Sequence, residues 1–198
     1  MHITDRFDPQ KVLRRWGDVM GESAKEEAIA RIVSLLNSKG VGYEAGHDLL
    51  AKNSRYEDFC RATGYAGSLR ANARTLHDLR GLREALLAMV QGVRNTNDAF
   101  VEVDTISARY GFCYVFDSEG GVSAQARERS VVSEVLADVA VVSAAKAWDR
   151  IKICANDECG AVFFDPTRAK NRRWHSFDVC GNKSNVAAFR ARTVVDER

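Results

Sequence analysis

Residues 153–192, ICANDECGAVFFDPTRAKNRRWHSFDVCGNKSNVAAFRAR, decide the fold of the C-terminal part of the chain. Cys154 and Cys159 form one close pair of metal-ligand residue types, and His175 and Cys180 form a second. Two such pairs, separated by about the length of a hairpin, are typical of a tetrahedral zinc site. Three cysteines and one histidine leave no open coordination position, so the spacing predicts one structural zinc ion. Chance clustering in a small buried core is the alternative.

The order of motifs around these ligands resembles the CGNR zinc finger family. The chain reads C-x4-C-G-x-x-F-x-D, then R-R-W, then C-G-N followed by a basic residue. The resemblance implies a bacterial transcription regulator linked to stress, with an N-terminal helical domain of the type called ABATE. There are two departures from the family pattern. His175 stands where the family generally has a third metal cysteine, and Lys183 stands where its signature has arginine.

Positive charge is concentrated around the predicted metal site. The whole chain carries a net charge of only +2, which by itself does not predict a nucleic-acid partner. Residues 151–198 hold nine Lys or Arg and six Asp or Glu, whereas the rest of the chain is slightly acidic. From Phe164 to Arg192 there are only two acidic residues against seven basic ones. The basic residues are Arg168, Lys170, Arg172, Arg173, Lys183, Arg190 and Arg192.

Composition and cysteine usage predict a cytoplasmic protein with no membrane partner. The apolar content of 45% and charged content of 28% are ordinary for a globular chain. No segment reaches the roughly 18 apolar residues that a membrane span needs, and the first ten residues lack the apolar core of a signal peptide. An odd number of cysteines fits a reducing compartment. Cys60 and Cys113 lie in apolar surroundings and are expected to be small core residues.

The first 110 residues have the periodicity of helices. Asp8-Pro9 predicts a first helix start, and Ser23 and Ser54 each begin a capping-box pattern. The longest amphipathic stretch begins at Ser68 and carries a stripe of leucines through to Val93. Asn97 is the predicted cap of one more helix.

The period then changes to that of a small β-hairpin. The aromatic and β-branched run Phe112–Phe116 predicts a buried strand, and residues 122–127 predict the returning strand. A helix follows from Ser130 to about Trp148. The predicted fold class is therefore α+β and mostly α-helical, with a helical domain at residues 1–150. A zinc module at residues 151–198 should pack against that domain, since no linker separates them.

Within the zinc module the sequence predicts a treble-clef-like order. A knuckle between the first two cysteines leads to a strand at residues 162–164, a basic loop, a second strand at residues 173–175 and a helix from about Cys180. Too few apolar residues are present for the module to fold alone, so zinc should supply much of its stability. A small core beneath the metal is predicted from four aromatic residues: Phe163, Phe164, Trp174 and Phe189.

The basic loop and the residues after Cys180 predict a phosphate-binding surface. Loop amides and clustered guanidinium groups suit phosphate oxygens, and a helix start favours an anion. Solvation of a metal loop is the alternative role for these charges. The family resemblance favours double-stranded DNA over RNA. The candidate nucleic-acid-binding residues are Thr167, Arg168, Lys170, Asn171, Arg172, Arg173, Asn182, Lys183, Arg190 and Arg192.

The helical domain carries no recognisable catalytic motif, so we expect that the protein is not an enzyme. A phosphate-binding glycine loop and a nucleophile elbow are both missing. His47-Asp48 and His77-Asp78 are interpreted as solvated polar positions. Three functions remain open. The first is a DNA-binding regulator with a helical domain that senses a small molecule or forms a homodimer, the second is a protein-interaction adaptor with a zinc module, and the third is an enzyme with its site in the helical domain.

Overall fold

A computed structural model describes residues 22–41, 47–51, 56–65, 71–92, 96–116, 118, 122–183 and 185–186. Its regular elements comprise five α-helices and two short antiparallel strand pairs within these ranges. The helices are α1 (Glu22–Asn37), α2 (Tyr56–Thr63), α3 (Ala73–Gln91), α4 (Thr96–Ser107) and α5 (Val131–Ala144). The strands are β1 (Phe112–Phe116), β2 (Val122–Ala126), β3 (Ile151–Ile153) and β4 (Val162–Phe164). The α+β class with mostly helical content is confirmed.

One apolar core holds the helices together. Helix α1 packs against α5, and α3 packs against α4, through apolar residues at helical spacing. Ile32, Leu82 and Val135, from three different helices, are completely buried in it. Burial of such a side chain contributes about 1.5–3 kcal/mol. None of the helices in the described ranges is long and apolar enough to cross a membrane.

Three ion pairs, each with one buried member, connect the helices to one another or to neighbouring turns. Asp138 of α5 accepts two hydrogen bonds from Arg31 of α1, at 2.9 and 2.7 Å. Arg83, itself 2% exposed, donates to both carboxylate oxygens of Asp48. The pKa of the Asp48 carboxyl is lowered, because these and other hydrogen bonds outweigh the cost of burial.

The buried Asp78 carboxylate makes the third connection, accepting hydrogen bonds from Arg109 and Tyr110. The interpretation of Asp78 and Asp48 as solvated positions was therefore wrong, although His47 and His77 are exposed. Each carboxylate is engaged by an arginine, which is a structural role.

Several predicted helix starts differ from the observed ones. Ser23 lies inside α1 and bonds Glu27, and Asn97 lies inside α4. The side chain of Asn72, rather than that of Ser68, caps α3 by accepting from Thr75 N at 2.8 Å. The predicted starts at Asp8 and Ser54, and Ser68 itself, lie outside the described residues.

The predicted hairpin is confirmed, but its burial is not. Strands β1 and β2 pair antiparallel, with Phe112 opposite Ala126 and Phe116 opposite Val122. Phe112, Val115 and Phe116 are exposed, Phe116 by 73%. The run was predicted as a buried strand because it is apolar, yet no helix covers these side chains in the described part of the chain.

The chain enters the zinc module through a strand that the sequence did not reveal. Helix α5 begins directly after its cap Ser130, close to the predicted start, but it ends at Ala144, before a short 3-10 turn at Trp148–Arg150. Strand β3 then pairs antiparallel with β4, and its Ile151, like Val162 of β4, is buried in the helical core. The side chain of Asn37 donates to Val162 O at 2.9 Å and accepts from Val162 N at 2.8 Å.

These contacts join the zinc module to the helices, as expected from a sequence that has no linker between them. The division of the chain into domains at residues 1–150 and 151–198 stays a prediction.

Candidate metal centre and basic surface

The four predicted ligands converge on one point. The ligand atoms of Cys154, Cys159, His175 and Cys180 all lie within 4.8 Å of one another. His175 Nδ1 lies 3.4 Å from Cys159 Sγ and 3.6 Å from Cys180 Sγ. Tetrahedral zinc, with Zn–S of about 2.3 Å and Zn–N of about 2.0–2.1 Å, separates sulfur and nitrogen ligands by about 3.5 Å. The donor set and its spacing therefore fit zinc.

The first ligand pair lies on a tight knuckle after β3. Cys154 N donates to Ala161 O, and Cys159 N donates to Asn156 O, both at 2.8 Å. Gly160 follows with a φ of +64°, a left-handed conformation that favours glycine. This backbone conformation explains why a glycine follows the second cysteine of the motif.

The second pair lies on a loop and a helical turn. The predicted strand at residues 173–175 is not formed; β3 takes its place as the partner of β4. One backbone hydrogen bond, from Ala155 N to Arg173 O at 2.8 Å, connects the knuckle to the loop. The helical segment predicted from about Cys180 is formed, but it begins earlier, at Phe177. Ser176 caps a π-helical turn, Phe177–Gly181, and Cys180 lies inside that turn.

The crowding of the ligands gives the thiols different pKa values. Burial acts against ionisation of Cys154, but hydrogen bonds with His175 and the Asn156 backbone outweigh it and lower its pKa to about 7. Burial raises the pKa of Cys159 to about 11, and the neighbouring sulfur atoms add to the rise. A divalent cation offsets the electrostatic repulsion between neighbouring thiolates, so the cluster is suited to bind one.

The four residues are arranged to bind one zinc ion. Zinc held by them supplies a cross-link between the knuckle and the helical turn, and a complete Cys3His set leaves no position for a substrate. The role of such an ion is structural.

The sequence analysis quoted Asp165 as the last residue of the C-G-x-x-F-x-D motif but assigned it no role. Its buried carboxylate accepts from Thr167 N and Thr167 Oγ1 on one oxygen, and from Lys152 Nζ and Arg172 N on the other. Burial alone would raise its pKa, but these four hydrogen bonds hold the pKa well below its ordinary value. Asp165 thus fixes both ends of the basic loop. The Asp-Pro-Thr order, a common turn sequence, was the available signal.

The ten predicted nucleic-acid-binding residues differ in how far they are already engaged. Thr167 bonds Asp165, and Asn182 bonds Asp178 O, 3.3 Å away. Lys170 forms an ion pair with Asp149. These three side chains are therefore poorer candidates for phosphate contacts than their sequence positions suggest.

The arginines of the loop are more available to a partner. Arg172 donates to His175 O at 2.6 Å and lies over the Phe163 ring, so it also supports a zinc ligand. Arg168 and Arg173 are exposed and have no carboxylate partner among the residues that the structure describes. Asn171 and Lys183 are exposed as well. Arg190 and Arg192 lie outside the described residues.

Asn182 and Lys183 lie about one turn into the helical segment, and not at its start. The argument that a helix N-terminus attracts an anion to these two residues therefore loses its basis.

The predicted aromatic core beneath the metal is only partly formed. Phe163 is buried, whereas Phe164 packs against the core of the helices. Trp174 packs edge-to-face on Phe177, with ring centres 6.1 Å apart. Phe177, which the sequence analysis did not single out, is 58% exposed. Phe189 lies outside the described residues.

Comparisons with known proteins agree with the resemblance found in the sequence. Residues 150–193 match the family described as "CGNR zinc finger". Residues 30–149 match ABATE, described as "Putative stress-induced transcription regulator". A search of curated proteins found no match. Since the second match spans more than half of the sequence, the chain belongs to the ABATE family, and it carries a C-terminal zinc finger of the CGNR type.

Proposed function

We propose that this protein is a DNA-binding transcription regulator of the bacterial type. Its zinc module contacts double-stranded DNA, and its helical part senses a small-molecule effector or forms a homodimer. The proposal rests most on one observation: exposed arginines without carboxylate partners in the described residues lie on a loop that the zinc site and Asp165 hold in place. A fixed set of guanidinium groups suits phosphate oxygens, because little side-chain and loop entropy is lost on binding.

The cations in and beside the basic loop fall into two groups: those paired with a carboxylate, and those without a carboxylate partner in the described residues. Lys152 is committed to Asp165, and Lys170 to Asp149. Arg168 and Arg173 remain for a polyanion, with Arg172 shared between the loop and the partner. The family matches support regulation, and DNA as the partner is the finer step proposed here.

The test is binding of the zinc-loaded protein to mixed-sequence duplex DNA over a salt series. Affinity should fall steeply with salt, because each neutralised phosphate releases counterions. Arg173→Ala should lower the slope of log affinity against log salt by about 1. Lys170→Ala is the matched control, because this cation is already paired with Asp149 and should change the slope less.

Two results would contradict the proposal. One is absence of duplex binding at low salt with zinc present. The other is binding that persists unchanged after the zinc is removed, since the loop would then not be the contact surface.

A cleft of about 790 Å3 between α3, α4 and β3 supports the sensing role. Its walls are polar and apolar in about equal parts and end at a zinc ligand, so a bound molecule would contact both the helices and the metal module. The lining residues include Met89, Phe100, Trp148, Ile151, Lys152 and Cys154. A screen of small apolar acids by thermal unfolding tests this role, with Met89→Trp as a variant that fills the cleft. Stabilisation that survives this variant would argue against the cleft as the site.

An adaptor is the second candidate, favoured by the exposed apolar side chains of β1. An adaptor would recover a protein partner in pull-downs and would show no duplex affinity. The same β1 surface is available to a homodimer, which sedimentation of Phe116→Glu and wild type would test.

We further propose that the protein has no enzymatic activity and is cytoplasmic. His47 and His77 are adjacent to carboxylates that arginines already engage, which leaves neither pair free for acid-base work. All five cysteines are unpaired, and a site with three zinc thiolates needs a reducing compartment. Conversion of any compound in a metabolite panel into a product would argue against the first statement. Export of a tagged full-length chain would argue against the second.

A further inference from the structure

The surface beside the zinc cluster carries a ridge formed by Arg173, Trp174 and Phe177. The guanidinium group of Arg173 lies over the Trp174 ring, 5.2 Å from its centre. The other neighbour of Trp174 is Phe177, packed edge-to-face at an interplanar angle of 72°. A cation, a half-buried ring and an exposed ring therefore follow one another along the ridge.

Phe177 packs against Trp174 and Gly181, although most of its side chain faces solvent. It lies between the zinc ligands His175 and Cys180, at the first position of the π-helical turn. Gly181 supports it from below: a Cβ at position 181 would lie only 2.7 Å from Phe177 Cδ2. The glycine of the CGN motif is therefore the position at which the backbone admits this ring.

Exposure of an apolar ring to water is unfavourable, so a contact that removes the ring from water is favourable. Val179, in the same turn, is exposed too. Three arginines of the adjoining loop, Arg168, Arg172 and Arg173, outnumber the one exposed carboxylate of the turn, that of Asp178. An apolar tip flanked by cations is complementary to stacked bases flanked by phosphates.

We propose that Phe177 is a wedge that inserts between base pairs of duplex DNA from the minor groove and kinks the duplex. Arg173 then contacts a phosphate next to the kink. Proteins that bend DNA through the minor groove use apolar side chains, phenylalanine among them, in this way. The inference rests on the proposed function, because it assigns the contact made at the same surface.

Insertion and phosphate contact leave different signatures. Loss of an inserted ring removes stacking, which does not depend on salt, whereas loss of an arginine removes counterion release. Insertion also favours flexible pyrimidine–purine steps such as TA, which unstack at low cost.

The experiment uses the zinc-loaded full chain and a short duplex with 2-aminopurine at a central TA step and a dye at each end. Phe177→Ala should weaken binding by about tenfold or more without changing the salt slope. The rise in 2-aminopurine fluorescence and the change in end-to-end energy transfer should both be lost. Phe177→Leu, which keeps an apolar wedge, should retain most of both signals.

Val101→Ala is the matched control, because it removes from α4 an apolar side chain of similar exposure, 62% against 58% for Phe177. It should leave affinity, fluorescence and bending unchanged. Zinc content is measured in all variants, so that a variant with a collapsed metal site is recognised. Phe177→Gln, which keeps a side chain of intermediate size but removes the apolar wedge, then replaces Phe177→Ala and should lose both signals.

Three results would overturn the wedge. If wild type binds with the expected salt dependence and Phe177→Ala binds and bends DNA equally well, the proposed function stands and the wedge falls. Tighter binding to single strands, with fluorescence changes that depend on Phe177, would replace insertion by stacking on unpaired bases. A wild type that does not bind duplex at any salt would remove the proposed function and the wedge together.

Discussion

The helical part and the zinc module of this chain are stabilised in two different ways. In the helical part, completely buried side chains such as Ile32, Leu82 and Val135 come from separate helices and share one core. Between Cys154 and Lys183, the buried side chains are two ligand cysteines, the strand residues Val162 and Phe163, and the charged Asp165. The first region distributes its stability over many apolar contacts, and the second concentrates it in one metal site and one carboxylate.

Strands β3 and β4 belong to both regions. Ile151 and Val162 are buried among the helices, while Cys154 directly follows β3. Removal of zinc should therefore unfold the loops beyond the strands and leave the strand pair attached to the helices.

Cys159→Ala should give the largest effect. Structural zinc contributes an apparent binding free energy of about 10–16 kcal/mol in zinc-finger peptides, and a three-ligand site loses most of its affinity. Zinc content measured by mass spectrometry should fall, and amide hydrogen exchange should accelerate at residues 154–161 and 165–183 but not in the strand pair β3–β4 or in α1, α3 and α5.

Cys113→Ala provides the control for this change, because Cys113 is a half-buried cysteine of the hairpin outside the ligand cluster. It should leave zinc content and exchange unaltered. Stoichiometric zinc in Cys159→Ala would exclude Cys159 as a ligand.

Leu82→Ala should destabilise the helical part and leave the zinc site intact. Leu82 is completely buried, and such a truncation costs about 2–5 kcal/mol of unfolding free energy because it leaves a cavity. Chemical denaturation should show this loss, with zinc content unchanged below the transition. Val101→Ala, at a residue that is 62% exposed, should change the unfolding free energy little. Equal losses in the two variants would contradict the assignment of Leu82 to the core.

The metal ligands and most of the helices could be predicted because each depends on local sequence spacing. The spacing of Cys154, Cys159, His175 and Cys180 reports their chemistry directly, and the leucine stripe of α3 reports its buried face. Apolar residues at helical spacing are buried wherever another helix covers them, so the pattern and the core agree.

The remaining features depend on tertiary contacts, which the spacing of residues in the sequence does not reveal. Strand β3 has only three residues, and its pairing with β4 is decided by Ile151 entering the helical core. Phe112–Phe116 looked buried because it is apolar, but its solvent faces have no covering element in the described ranges. Asp165 looked like one more charge in a basic loop, and its role appears only when Lys152 and Arg172 are brought to it.

Asp165→Asn should loosen the basic loop without releasing zinc. The amide group keeps the shape but presents a donor to Lys152 Nζ or Arg172 N, both of which are donors. Hydrogen exchange at residues 167–172 should accelerate by about tenfold or more.

Hydrogen exchange of Asp165→Asn and of the wild type should be compared at neutral pH. The pKa of Asp165 is lowered on folding, so its charge stabilises the fold above its unfolded value of about 3.9 and this contribution is lost as the pH falls through the lower folded value. Asp149→Asn, which removes an exposed partner of the same loop, is the matched control and should change exchange little. Equal acceleration in the two variants would show that general charge, rather than the buried hub, orders the loop.

Asn72→Ala tests the smallest of these contributions, a single helix cap. The side chain of Asn72 accepts from Thr75 N and satisfies one of the amides that a helix start leaves without a partner. Its loss should cost about 1 kcal/mol in chemical denaturation and leave zinc content unchanged. Ser68→Ala is the informative control, because the sequence pattern placed the helix start at Ser68. A cost confined to Ser68→Ala would move the start of α3 back to that residue. A cost confined to Asn72→Ala would mean that a hydrogen bond across three residues, and not the first residue of the apolar pattern, decides where the longest helix in the described ranges begins.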